Sequence, residues 1–169
     1  MKLFIPLLLA FSISPIWPLG PILHGDPLII VNKRTNEVAF IHNNEVQHLY
    51  KAATGKTKDL TPNGLHTVTV KAKQPYYRKK NIPGGDPDNP LGTRWIGFDA
   101  NETNGRIYGL HGTNNPASIG SYVSQGCIRL HNKDIEHLYE LVPIGTRVYI
   151  THSTKSFEQL GKELGVIAD

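Results

Sequence analysis

A chain of 169 residues has room for one ordinary domain and a short appendage. Hydrophobic residues make up 39% and charged residues 19%, which supports a packed core and excludes wholesale disorder. Lys and Arg number 18 against 14 Asp and Glu, a net charge of +4 that suits residence near an anionic polymer. The basic residues are scattered apart from Arg78-Lys79-Lys80, and no nucleic-acid-binding motif accompanies them, so no nucleic-acid partner is expected.

The chain opens on an export signal. Lys2 supplies a positive charge, and Leu3 to Phe11 is an apolar stretch of signal-peptide length. No Ala-x-Ala tripeptide follows, and Pro15, Pro18 and Pro21 crowd the cleavage region. Residues 1–25 are therefore read as a cleaved signal peptide or, alternatively, an N-terminal membrane anchor. Both readings place the remainder outside the cytoplasmic membrane, secreted or at the cell wall. A single cysteine means that the fold uses no internal disulfide.

Strand signals begin after Asp26-Pro27. Leu28 to Val31 and Val38 to Ile41 are short apolar runs joined by a hairpin turn, Asn32 to Asn36. Val46 to Ala53 follows and ends at Thr54-Gly55. Thr61-Pro62-Asn63-Gly64 is a turn that introduces Leu65 to Val70, whose alternation turns Val68 and Val70 toward the core. Gln74 to Gly92 is rich in Pro and Gly and reads as a flap beside a site. Arg94 to Phe98 and Arg106 to Leu110 are two more strands, joined by the polar turn Asn101 to Gly105.

Asn132 reads as the N-cap of a helix with Asp134 and Glu136 in its first turn. Ile135, Leu138, Tyr139 and Val142 share one face of it, and Pro143 and Gly145 stop it. Thr146 to Thr151 is a closing strand, and Ser156 to Leu164 a short C-terminal helix. The expectation is a mainly β domain over residues 26–151, a sandwich or open barrel with one or two short helices. Residues 152–169 then form a C-terminal extension.

The one cysteine, Cys127, sits in Ser124-Gln125-Gly126-Cys127-Ile128-Arg129, and His111 lies 127 − 111 = 16 residues upstream. An unpaired thiol is either an inert buried group or a nucleophile activated by a nearby base. The preceding glycine and the upstream histidine favour the nucleophile. A free thiol titrates near about 8.5, so a histidine base raises its reactivity near neutrality. Gly109 and Gly112 are expected to leave space around His111, and Gly126 to let a carbonyl approach the nucleophile. The amides of Gly126 and Cys127 are expected to form an oxyanion hole, each donor contributing roughly 3–4 kcal/mol in the transition state. Tyr108, on the strand into His111, either lines the pocket or joins the core. His66 and His131 lack metal-ligand spacing, and no metal is expected.

The text from His111-Gly112-Thr113-Asn114 through Ser124-Gln125-Gly126-Cys127-Ile128-Arg129 resembles the catalytic signature of the YkuD-type L,D-transpeptidases. Thr61-Pro62-Asn63-Gly64, Gly92-Thr93-Arg94-Trp95-Ile96-Gly97 and Pro143-Ile144-Gly145-Thr146-Arg147-Val148 extend the likeness. The resemblance implies a β-sandwich catalytic domain acting on the peptide stems of peptidoglycan. It implies that Cys127 attacks the third stem residue, expels the terminal D-alanine and passes the acyl group to another stem as a 3→3 cross-link. Water as acceptor would give carboxypeptidase activity. His111 matches the general base, no metal or organic cofactor is needed, and carbapenem-type β-lactams are expected as covalent inhibitors. The groups expected around the pair are Gly126, Ser124, Gln125, Arg129, Gly112 and Tyr108. Two positions depart from the commonest pattern: Gln125 stands where many relatives have His, and Arg129 where many have Asn. Arg129 is assigned to a stem carboxylate or to holding its loop. Sortases and wall endopeptidases place cysteine and histidine differently along the chain. A non-catalytic wall-binding domain is the alternative from another class.

Overall fold

The computed structural model describes residues 20–169, so the apolar leader from Leu3 to Phe11 lies outside the described residues. The chain first runs through a hairpin, β1 (Leu28–Asn32) and β2 (Glu37–His42), then the long β3 (Glu45–Gly55) and β4 (Gly64–Lys73). After the 74–92 loop come β5 (Arg94–Phe98), β6 (Tyr108–His111), β7 (Tyr122–Ser124) and β8 (Ile128–Leu130). Helix α1 (Asn132–Leu141), β9 (Arg147–Thr151) and helix α2 (Phe157–Glu163) complete it.

The strand order is β2-β1-β9-β4-β5-β6-β8-β3-β7, and β2 also pairs with β3, so the sheet closes on itself. Strand β3 makes the closure because it is long enough to change partners. Glu45 to Lys51 pair with β2, Ala52 and Ala53 with β8, and Thr54 and Gly55 with β7. The mainly β expectation holds, and the choice between sandwich and open barrel resolves to a barrel-like closed sheet.

Closure makes an inside. Ile29, Val31, Val38, Phe40, Ile96, Phe98, Leu110, Ile128 and Leu130 fill it, with Ile135 and Leu138 of α1 against them. Strand β1 is buried on both faces. Its alternate residues Leu28 and Ile30 pack outward with Ala39, Ile41, Leu160, Val166 and Ile167 under α2. Helix α2 starts in a capping box: the Gln159 N–H donates to Ser156 Oγ at 3.2 Å and the Ser156 N–H to Gln159 Oε1 at 2.9 Å. The C-terminal extension thus covers one face of the sheet. Residues just before β1 are tied to it, since the Gly25 N–H donates to the Val166 carbonyl at 2.9 Å.

Two local expectations change, and two strands appear that the sequence does not announce. Val68 is buried but Val70 only half-buried, because a bulge between them breaks the alternation of β4. The short strands β7 and β8, on either side of the cysteine turn, carry too few residues to show a period. Helix α1 begins one residue earlier than an Asn132 cap requires: His131 is its N-cap and makes no side-chain cap hydrogen bond. At its other end the Lys71 ammonium donates to the Tyr139 and Val142 carbonyls, each at 2.6 Å.

Candidate active site

Strands β5, β6 and β8 lie side by side, and their register places Trp95 beside His111 and His111 beside Arg129. Alternation divides these strands into two faces. Ile96, Phe98, Leu110, Ile128 and Leu130 turn into the barrel core. Trp95, Gly97, Gly109, His111 and Arg129 turn the other way. Cys127 immediately precedes β8, in phase with Arg129. The cysteine and the histidine therefore reach the same face from neighbouring parallel strands.

His111 is 4% exposed, and its ring stacks on Trp95 with centroids 5.6 Å apart and planes 17° from parallel. The indole is itself fixed, its Nε1–H donating to the Gly105 carbonyl at 2.8 Å. A Cβ on Gly109 would lie 2.7 Å from the Trp95 ring. That glycine admits the indole rather than leaving space around the histidine, which corrects the expectation from sequence. Nδ1 lies 2.6 Å from the Gly112 carbonyl, and a carbonyl only accepts, so Nδ1 carries the proton. Burial lowers the imidazole pKa to about 4; the Gly112 and Leu91 carbonyls oppose the fall and the Arg129 charge adds to it. Near neutrality the ring is uncharged, with its lone pair on Nε2.

Cys127 is half-buried, and its Sγ–H donates to the Ile107 carbonyl at 3.3 Å. Burial pushes the thiol pKa up, while a Gly109 backbone hydrogen bond and the charges of Lys79 and Arg129 pull the other way. Both partners are thus neutral at rest, a thiol and an imidazole rather than a standing ion pair. A neutral thiol and a neutral imidazole brought into contact can generate a thiolate by proton transfer to the ring.

Hydrogen bonds build the turn that carries Cys127. Ser124 Oγ accepts from the Gly126 N–H at 3.0 Å and donates to the Cys127 carbonyl at 2.6 Å. The Gly126 amide is therefore committed to Ser124, which corrects its expected place in an oxyanion hole. Gly126 has φ +131°, and a Cβ there would lie 2.5 Å from the Leu60 carbonyl oxygen and 3.2 Å from the Tyr108 ring. A left-handed backbone and a crossing chain, not substrate access, demand glycine at this point. Thr61 Oγ1 clamps the same turn: it donates to the Gly126 carbonyl and accepts from the Gly55 N–H, both at 2.9 Å. Lys33, 3% exposed, backs the clamp by donating to the Thr61 carbonyl at 2.7 Å and to that of Lys58.

The remaining expected residues divide. Tyr108 stacks on Phe98 and its hydroxyl accepts from Asn101 Nδ2 at 3.2 Å, so it belongs to the core and the support of Gly126. Gln125 is exposed at the tip of the turn. Arg129 takes part in none of the ion pairs among the described residues, which join Lys51 to Glu37, Lys73 to Glu140 and Lys155 to Glu163. Its positive charge reaches both His111 and Cys127. His66 stacks on Phe98 with centroids 5.5 Å apart.

The flap from Gln74 to Gly92 folds around Asn89, 2% exposed, whose Nδ2 donates to the Pro75 and Pro83 carbonyls at 2.8 and 3.0 Å. Asn89 Oδ1 accepts from the Leu91 N–H at 2.9 Å, and Leu91 turns its carbonyl toward His111. A cavity of about 500 Å³ lies between this loop and the segment after His111, lined by Pro87, Thr113, Asn114, Pro116 and Lys133 among others. A second, of about 340 Å³, is lined by Lys33, Lys56, Lys58, Tyr122 and His152, where β3 meets the Ser124 strand. Sequence reasoning missed the roles of Trp95, Thr61, Lys33 and Asn89. The signal for Trp95 was present: Trp95-x-Gly97 and Gly109-x-His111 are two period-two pairs on adjacent strands, leaving one face open to an indole.

A closed β-sheet that presents a thiol and a neutral imidazole on one face defines a scaffold suited to acyl transfer through sulfur. Residues 26–150 match the model of the YkuD family, the L,D-transpeptidase catalytic domain, and the chain belongs to that family. It is 63% identical over 152 residues to YqjB of Bacillus subtilis, named as an L,D-transpeptidase, covering 89% of this chain and 86% of that one. To YkuD of the same organism it is 44% identical over 108 residues, 64% of this chain and 56% of the relative. Among solved structures, an L,D-transpeptidase from Mycobacterium smegmatis superposes with a TM-score of 0.60 at 24% identity, over 75% of this chain and 58% of that one. L,D-transpeptidase 3 from Mycobacterium tuberculosis, solved with a faropenem-derived adduct, gives 0.58 at 20% identity, over 76% and 61%. These two likenesses concern the fold.

Proposed function

We propose that the protein is a peptidoglycan L,D-transpeptidase that works through a thioester on Cys127 and joins stems by 3→3 cross-links outside the cytoplasmic membrane. The observation that carries this reading is the placement of Cys127, His111 and Arg129 on one face of β6 and β8, within a chain of the L,D-transpeptidase family. His111 Nε2 takes the thiol proton as sulfur attacks the carbonyl of the third stem residue. The C–S bond forms, the C–N bond to D-alanine breaks, and the proton passes from the imidazolium to the departing amine. The side-chain amine of a second stem then attacks the thioester. It gives its proton to His111, and the thiolate leaves and is reprotonated. The Cys127 amide is the turn's remaining candidate donor to the oxyanion, since that of Gly126 is taken. Arg129, a cation without an acidic partner among the described residues, suits a stem carboxylate.

The test uses purified protein with a carbapenem and with a stem tetrapeptide. A single adduct on the intact mass is expected for the wild type and none for Cys127→Ala. His111→Ala, folded by circular dichroism, is expected to slow labelling by about 10²–10⁴-fold. Tetrapeptide is expected to give a dimer with release of D-alanine. Release without dimer assigns a hydrolytic carboxypeptidase instead, and an unlabelled wild type removes Cys127 as nucleophile.

A further inference from the structure

The Gly112–Thr113 peptide group is held from both ends. Its carbonyl accepts from His111 Nδ1 at 2.6 Å, and its N–H donates to Asn132 Oδ1 at 3.0 Å. Because the carbonyl and N–H of one trans peptide point in opposite directions, fixing the N–H fixes where the carbonyl aims. We propose that Asn132 is a positioning residue for the reaction: its carboxamide oxygen locks the peptide group whose carbonyl sets the proton and orientation of the His111 ring. The inference rests on His111 being the base.

The surroundings are shaped for that oxygen. A Cβ on Gly112 would lie 2.1 Å from Asn132 Oδ1, and one on Gly92 2.2 Å from it. Two glycines from two different segments thus form the slot it occupies. Asn132 is the first residue of α1, where an asparagine one position earlier would cap the helix. Its side chain instead reaches across to the chain leaving β6. The helix is a fixed reference. Ile135 and Leu138 are wholly buried in the core, and Lys71 ties down its last carbonyls. Thr113 is 3% exposed, so its N–H has little recourse to water if the oxygen is lost. A peptide freed at its N–H can rotate and withdraw the Gly112 carbonyl. The ring then loses the acceptor that keeps its proton on Nδ1 and its lone pair on Nε2. The lost carbonyl is also one of the groups holding the imidazole pKa up, so the base weakens as well as turning.

The experiment compares wild type, Asn132→Ala, Asn132→Asp and His111→Ala by carbapenem acylation of Cys127, followed by intact mass from acidic to mildly alkaline pH. Melting temperature is recorded on each protein, and the ¹⁵N shifts of the His111 ring on the wild type and the two Asn132 variants. Asn132→Ala is expected to acylate roughly 10- to 100-fold more slowly, as a misplaced catalytic group does, with its acid limb moved to lower pH. Asn132→Asp keeps an acceptor of the same shape. It is expected to restore the plateau rate and the Nδ1–H tautomer, with the acid limb moved to higher pH by the nearby negative charge. A folded Asn132→Ala with wild-type rate and pH profile overturns the proposal. So does an Asn132→Asp protein that is as slow as the alanine variant or has lost the Nδ1–H tautomer. That second arm decides the matter if Asn132→Ala does not fold. Failure of the underlying reading is distinct: the wild type then shows no acylation, or His111→Ala matches it.

Discussion

His111 on β6 and Cys127 just before β8 lie on one face of neighbouring parallel strands but are held largely by different physics. The histidine is gripped by bulk: an indole stacked on its ring, glycines that admit that indole, and nearly complete burial. The cysteine sits on a turn held by polar contacts, from Ser124 and Thr61 with Lys33 behind them. Burial is non-directional and costly to remove, whereas a hydrogen bond is directional and contributes modestly to stability. Removing bulk on the histidine side should therefore show first as lost stability, while loosening its polar hold through the Gly112 carbonyl and Asn132 should show in rate. Damage on the cysteine side should show first as lost rate.

The strongest test of that contrast is Trp95→Ala. It removes a buried aromatic and the stack on His111, and a loss of about 3–5 kcal/mol in urea unfolding is expected. A loss near zero would show that bulk does not hold the histidine.

Next in size is a pH effect. The folded imidazole titrates at about 4, against about 6.5 in an unfolded chain. As pH falls below about 6.5 the unfolded chain takes up a proton that the folded one refuses, so stability declines and then levels below about 4. The gap corresponds to on the order of 3 kcal/mol. Denaturation midpoints across this range should decline for the wild type and decline less for His111→Gln. Identical curves would place the acid sensitivity elsewhere.

The smallest expected change in stability is Thr61→Val, about 1–3 kcal/mol for unpaired buried groups at Gly55 and Gly126. Its signature is kinetic: carbapenem acylation should slow while the His111 ring keeps its tautomer. Unchanged acylation would remove Thr61 from the support of the turn.

What could be read from sequence follows the same division. Strands β1, β2, β5 and β9 declared themselves because an apolar run or a two-residue alternation is a local signal of a buried face. Cys127 and His111 stood out as the candidate pair from their residue types and the text around them. Closure of the sheet was not, because it depends on β3 exchanging one partner for another, which no local period records. Asn132 looked like a helix cap because asparagine before an amphipathic run usually is one; its actual partner, the Thr113 N–H, is 19 residues away. Gly126 invited a reading about substrate access, while the chain crossing it at Leu60 comes from a segment 126 − 60 = 66 residues earlier. Long-range contacts decided each of these positions.

The parallel pairing of β6 with β8 carries one more consequence. Parallel neighbours cannot be joined by a tight turn; the chain must travel back the length of the sheet, which takes about a dozen residues or more. The interval from His111 to Cys127 is that return journey, and it contains the 3₁₀ turn Pro116–Ser118 and strand β7. The spacing between His111 and Cys127 therefore reflects the topology rather than a code. A longer excursion around Asn114 and Asn115, both exposed, would leave the Cys127 thiol and the His111 imidazole where they are.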